Sequence, residues 1–143
     1  TDGAAMLLLA SEQAVKQPGL AVLGELLGDE WAGVDPSQMG LGPVHAVARL
    51  LTRFKLGMRD IDHMELNEAF AAQVLACDRD LAFDRGRLNV NGGGIALGHP
   101  TGMSGTRIVV SLLNELARIR GRYGIATLCV SGGQGMAVLV ERV

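Results

Sequence analysis

Three stretches of the 143-residue chain carry residue types that packing alone explains poorly, and each lies where a strand gives way to a loop or helix. Open α/β sheets place their ligands at such ends. The first stretch is Asn67-Glu68-Ala69-Phe70. Asn67 is a good helix-capping residue, and the helix start it would cap offers free N–H groups and a positive dipole end. The second runs from Asn91 through Gly92-Gly93-Gly94 to Gly98-His99-Pro100 and Gly102. Glycines this dense let the backbone approach a ligand closely, and Pro100 fixes the chain direction after the imidazole of His99. The third is Cys129-Val130-Ser131-Gly132-Gly133-Gln134-Gly135, a thiol at a strand end followed by small residues. Backbone donors and exposure there are conditions that depress a thiol pKa or let it shuttle a proton. Each stretch also has a plainer explanation: a helix cap for Asn67, a turn with an exposed ring for His99, a buried inert thiol for Cys129. His45 and His63 lack a comparable setting and read as surface or helix-packing residues. The glycine-rich loop matches neither G-x-G-x-x-G after a strand nor G-x-x-x-x-G-K-[ST], so the signal for a mononucleotide or dinucleotide fingerprint is weak.

Composition removes several function classes. Thirteen Lys+Arg against fifteen Asp+Glu give a formal charge of −2, which argues against a surface that neutralises nucleic-acid phosphates. Two cysteines, Cys77 and Cys129, supply neither a disulfide framework nor a Cys-x-x-Cys metal knuckle, and a reducing compartment fits them best. Long charge-free apolar stretches span 88–106 and 123–140, but consecutive glycines, asparagines and His99-Pro100 interrupt them. Such backbone would be poorly served in lipid, so no membrane span is expected. The chain opens on Thr1-Asp2-Gly3 with no initiator Met or leader, as a piece of something longer would.

The elements that must position these stretches are legible from hydrophobic spacing. The apolar run 4–10 has the composition of a strand covered on both faces. Ser11 can cap a brief helix through Lys16, stopped by Pro18-Gly19, and Leu20 to Leu27 reads as extended. Gly33 to Pro43 is a loop. Val47, Leu50, Leu51 and Phe54 recur at helical spacing from Val44, and Gly57 closes that helix. A short strand at His63–Leu66 precedes Asn67, after which Phe70, Val74, Cys77 and Leu81 mark one helix face. Arg85 to Gly102 carries no usable period. Ser104 caps the strongest helix, whose stripe is Ile108, Val109, Leu112, Leu113, Leu116 and Ile119, ended at Gly121. Tyr123–Val130 and Met136–Val143 form an antiparallel pair around a glycine-rich turn. Strands alternating with helices give a three-layer α/β domain with a mixed sheet.

Taken in order and at their spacing, Asn67-Glu68-Ala69-Phe70, the Gly98-His99-Pro100 loop with Asn91-Gly92-Gly93 before it and Ser104-Gly105 after it, and Cys129-x-x-Gly132-Gly133-x-Gly135 resemble the three signatures of the thiolase C-terminal domain. The opening Asp2-Gly3-Ala4-Ala5 and Met39-Gly40-Leu41-Gly42-Pro43 extend the resemblance over essentially the whole chain. Ala71-Ala72-Gln73 and the Glu141-Arg142-Val143 ending look most like the 3-ketoacyl-CoA thiolases of fatty-acid β-oxidation. The resemblance implies a single domain over 1–143 with a five-stranded mixed sheet and helices on both faces. It also implies acyl transfer between 3-ketoacyl-CoA and CoA, in either direction, with CoA species as substrates and no metal or redox cofactor.

By the same resemblance, His99 is the base that activates the nucleophilic cysteine and a donor to an oxyanion hole. Asn67 holds a water completing that hole, and Cys129 protonates or deprotonates the α-carbon of the acetyl-CoA unit. The backbone at Ser131 and Gly132 would serve a second oxyanion hole. Two departures stand out. The family's acylated nucleophile lies in an N-terminal domain that this chain does not contain, and Cys77 sits in the wrong segment to replace it. Ser131 stands where the family usually has glycine, and a serine forced to positive φ would distort the hole. The expected partners are therefore an N-terminal thiolase half, on a separate or cleaved chain, and further copies in a homo- or hetero-oligomer. The expected location is the cytoplasm of a bacterium or an organelle matrix. A non-catalytic remnant acting as a binding module is the alternative, and a ketoacyl synthase of the same superfold is a weaker one.

Overall fold

The computed structural model describes residues 1–16 and 19–143. The Pro18 of the expected helix stop lies outside the described residues. Four strands form one sheet in the order β1 (Glu25–Gly33), β4 (Gln134–Glu141), β3 (Tyr123–Val130), β2 (His63–Leu66). β2 and β3 are parallel, and the other two pairings are antiparallel. Helices α2 (Gly42–Phe54) and α3 (Ala71–Leu81) lie on one face and α5 (Ser104–Ile119) on the other, with the single turn α4 (Gly94–Leu97) preceding α5 in the chain. Two separate cores result. Leu50, Leu66, Ile125 and Leu139 belong to the α2/α3 side, and Ile108, Leu112, Leu116 and Val140 to the α5 side. The three-layer architecture follows from this division of apolar residues.

The sheet has four strands where five were expected, because the run 4–10, expected as the first strand, joins neither edge. Residues 4–10 form no strand, and Met6, Leu8 and Leu9 are 90%, 78% and 78% exposed. An apolar run becomes a strand only where an edge accepts it, and both edges are occupied. On β1, Arg49 Nη1 donates to Trp31 O at 2.8 Å and Arg53 Nη1 to Asp29 O at 3.2 Å, which blunts the free edge. On β2, a single parallel bridge joins Met64 to Leu88. The next residue, Asn89, turns left-handed at φ 46° and ends the extended run. Its side-chain amide then completes the pairing, with Oδ1 accepting from Leu66 N at 2.9 Å and Nδ2 donating to Leu66 O at 2.8 Å.

Other boundaries moved for local reasons. β1 spans Glu25–Gly33, starting five residues after Leu20 and ending six beyond Leu27, at the first residue of the expected loop. As an edge strand half open to solvent it needs no two-sided apolar pattern, and its eight partners on β4 define it instead. Pro36–Leu41, inside the expected loop, is a short 3₁₀ turn capped by Asp35. The expected brief helix is present as α1 (Glu12–Val15), with Ser11 Oγ accepting from Ala14 N. The left-handed closures of α2 and α5 fall on Lys55 and Arg120, ahead of the glycines expected to supply them.

Candidate active site

Asn67 does not cap a helix. The chain stays non-helical through Phe70, which is itself the N-cap of α3, and Asn67 is only 1% exposed. Its backbone N–H donates to Thr127 O at 3.0 Å, which prolongs the β2–β3 ladder by one step toward Cys129. Asn67 and Cys129 therefore sit at the C-terminal ends of adjacent parallel strands. The second stretch meets the first directly: a methyl group placed on Gly94 would lie 3.3 Å from Asn67 Oδ1 and 3.2 Å from Glu68 O. Glu68, which sequence reasoning left without a role, fastens the glycine loop. Its Oε2 accepts from Ile95 N at 3.0 Å and its Oε1 from Asn89 Nδ2 at 2.9 Å. The carboxylate fills the space beside Gly93, so a side chain there would have to displace Glu68 from its bonds to Ile95 N and Asn89 Nδ2.

His99 is held by Ser104. Nδ1 and Ser104 Oγ are 2.6 Å apart, and Ser104 Oγ in turn donates to Pro100 O at 3.0 Å. A hydroxyl has one proton. In the tautomer where that proton goes to Pro100 O, Ser104 accepts from His99, Nδ1 carries the hydrogen and Nε2 is left as a base. Ser104 is 1% exposed and is the first residue of α5, with Met103 in the capping position, so the expected helix cap is instead an imidazole anchor. The signal was present in the sequence as a serine five residues after the histidine. No hydrogen bond joins His99 to Cys129. They stand on adjoining elements, since the start of α5 packs on the end of β3 through Gly105 and Leu128.

Cys129 is 8% exposed, and burial pushes its thiol above the ordinary value, against a smaller opposing effect of its own backbone hydrogen bond. The expectation of a depressed pKa is corrected: desolvation outweighs the nearby donors, and the group is a neutral thiol at physiological pH. Cys77 on α3 is fully buried and raised to about 11, mainly by desolvation, with Gln73 opposing and charge at Cys129 adding to the rise. It behaves as the inert cysteine its helix face implied.

The turn after Cys129 occupies three residues between the paired Val130 and Gln134. Gly132 and Gly133 take the left-handed conformation at φ 84° and 85°, and Ser131 does not. The strain expected at Ser131 is therefore absent, because the two glycines supply all the positive φ that the turn requires. Ser131 is exposed, and neither its N–H nor that of Gly132 donates to another backbone carbonyl. His45 lies exposed on α2, but His63 is not a surface residue: it is 1% exposed on β2, with Nε2 3.0 Å from Glu65 Oε1. Among the described residues no three His, Cys, Asp or Glu side chains are grouped to hold a metal ion, and no helix is long and apolar enough to cross a membrane.

A mixed sheet layered by helices, with Asn, Gly-His-Pro and Cys-x-x-Gly-Gly motifs gathered at the ends of its parallel strands, is the arrangement of a thiolase C-terminal domain. A family model described as "Thiolase, C-terminal domain" matches residues 20–142, and the chain belongs to that family. Beta-ketoadipyl-CoA thiolase of Pseudomonas aeruginosa is 54% identical over 144 residues, covering 99% of this chain and 36% of the relative. Human mitochondrial 3-ketoacyl-CoA thiolase is 47% identical over 140 residues, covering 98% and 35%. A crystal structure of that human enzyme superposes with a TM-score of 0.91 over 94% of this chain and 34% of its own. The chain thus spans about a third of the length of these relatives.

Proposed function

We propose that this chain supplies the acid–base half of a thiolase active site, which transfers an acyl group between a 3-ketoacyl-CoA and CoA. The nucleophilic cysteine comes from an N-terminal domain outside these residues. His99 Nε2 takes the proton of that cysteine, whose thiolate attacks the C3 carbonyl of the substrate. The C2–C3 bond then breaks, its electron pair passes to C2 as the enolate of acetyl-CoA, and the neutral thiol of Cys129 delivers a proton to C2. The Cys129 thiolate left behind takes the proton of the incoming CoA thiol, CoA attacks the enzyme thioester, and the released cysteine thiolate regains its proton from His99 Nε2. Condensation is the same path reversed. Asn67 holds a water that, with His99, faces one thioester oxygen, and the N–H groups of Ser131 and Gly132 serve the other. One such donor is commonly worth about 3–4 kcal/mol of transition-state stabilisation. No step calls for a metal or redox cofactor.

The observation that carries this reading is the Ser104 contact at 2.6 Å, which supports His99 Nε2 as the basic atom when Nδ1 is its donor, on a loop adjoining the strand ends that hold Asn67 and Cys129. The test is reconstitution. This chain, assembled with a thiolase N-terminal domain, cleaves acetoacetyl-CoA when CoA is added, and the chain alone does not. His99→Ala and Cys129→Ala in the assembly each cut turnover by about 10²-fold or more. A folded assembly without turnover overturns the reading and favours a binding module, and turnover by the chain alone overturns the need for a partner.

A further inference from the structure

Behind the site a buried polar row runs along β2. His63, Glu65 and Asn67 alternate with Met64 and Leu66, and because the latter two belong to the core under α2 and α3, the row faces α5. Its members are 1%, 0% and 1% exposed. Glu65 Oε1 meets His63 Nε2, but Glu65 Oε2 and Asn67 Oδ1 are buried without a partner. On α5, all three guanidinium nitrogens of Arg107 are also buried without an acceptor. Unpaired polar atoms in a buried layer are costly, most of all a guanidinium.

The three groups fall at one level of the fold. α5 runs antiparallel to β3, into which it leads, and so antiparallel to β2. It starts at the end that holds Asn67, since Gly105 lies against Leu128, the residue after the Thr127 that pairs with Leu66, and Glu115, near its other end, lines the same cleft as His63. Glu115 is already committed, accepting from Asn91 Nδ2 at 2.9 Å and from Arg118 Nε and Nη2 at 2.9 and 2.6 Å. Arg107 lies about 4.5 Å along the helix from Ser104, and Glu65 about 6.6 Å along the strand from Asn67. Two acceptors without donors and one five-donor fork without acceptors therefore share the layer just beneath the site.

We propose that Arg107, Glu65 and His63 form one charge cluster that positions Asn67. In the assembled site the Arg107 fork donates to Glu65 Oε2 and to Asn67 Oδ1, while His63 fixes the far carboxylate oxygen. Tying the amide oxygen inward leaves Nδ2 turned toward the reacting thioester. The arrangement rests on the thiolase reading of Asn67, and none of the three cluster members touches substrate. Arginine is specified because a lysine cannot present two parallel donors.

The experiment is a double-mutant cycle in the assembly with a thiolase N-terminal domain, using Glu65→Gln, Arg107→Met and the pair. Each single change is expected to lower kcat about tenfold with KM altered less than about threefold, and the double variant falls no further, since groups acting as a unit do not add. Arg107→Lys does not restore kcat. Thermal unfolding of the same proteins gives an independent cycle, in which the loss of Tm in the double variant is smaller than the sum of the singles. Additive losses in both readouts overturn the cluster, and coupling in Tm with unchanged kcat overturns its positioning of Asn67. Should Arg107→Met fail to fold, a folded Glu65→Gln with unchanged kcat is sufficient to overturn it. If the unmodified assembly shows no turnover, the thiolase reading fails while the unfolding cycle still tests the cluster.

Discussion

Replacing Ser104 with alanine isolates the one bond on which the base chemistry depends. The hydroxyl is buried, 2.6 Å from His99 Nδ1 and 3.0 Å from Pro100 O; its loss leaves the ring nitrogen without a partner, while Pro100 O keeps its bonds from Met103 N and Ser104 N. A buried group deprived of its partner costs about 1–3 kcal/mol. The part of that cost that falls on the imidazole frees the ring to rotate and to exchange tautomers, and at about 1.4 kcal/mol per decade it corresponds to roughly a tenfold to hundredfold loss of rate. The assay is acetoacetyl-CoA cleavage in the assembly with an N-terminal domain, with kcat and KM separated, because a base out of position lowers kcat while leaving CoA binding in place. Ser104→Thr keeps the hydroxyl and is expected to recover most of the loss. Nitrogen chemical shifts of the His99 ring report the tautomer directly and do not depend on activity. A folded Ser104→Ala assembly with unchanged kcat, or a wild-type ring protonated on Nε2, refutes the reasoning.

Three further outcomes follow from particular contacts. Asn89→Ala removes bonds to Leu66 N, Leu66 O and Glu68 Oε1 and leaves a non-glycine residue at φ 46°, so chemical denaturation should show a loss of about 2–4 kcal/mol; a change below about 0.5 kcal/mol would mean the side chain does not close the β2 edge. Ser131→Gly relieves no backbone strain and therefore brings no gain in stability, whereas a stabilisation above about 1 kcal/mol by the same measurement would show strain at that position. Hydrogen bonds from Arg118 and then Asn91, opposed by burial, hold Glu115 at about 2 against its ordinary 4.5. Because the folded-state value is the lower one, the stabilisation is fully present above about pH 4.5 and is lost as pH falls toward 2; Glu115→Gln should flatten that acid limb in pH-dependent unfolding, and an unchanged limb contradicts the assignment.

The sequence by itself determined the helical stripes of α2 and α5, the β2 strand, the β3–β4 hairpin and the three chemistry-bearing stretches, because each is encoded within a single local segment. A period of 3.6 or 2, a capping residue or a dense glycine turn is a property of neighbours in the chain. Tertiary structure decided what depends on distant partners. Residues 4–10 have strand composition but find both sheet edges occupied by arginine and asparagine side chains, while the apolar-poor segment Glu25–Gly33 becomes a strand because β4 offers it a ladder. Asn67 looks like a helix cap in isolation and is instead a buried residue at a strand end, and His63 looks like surface but is enclosed with Glu65. The direction of the Cys129 shift was also unreadable, since donors in the turn are visible in sequence whereas the burial that outweighs them is created only by tertiary packing around the end of β3.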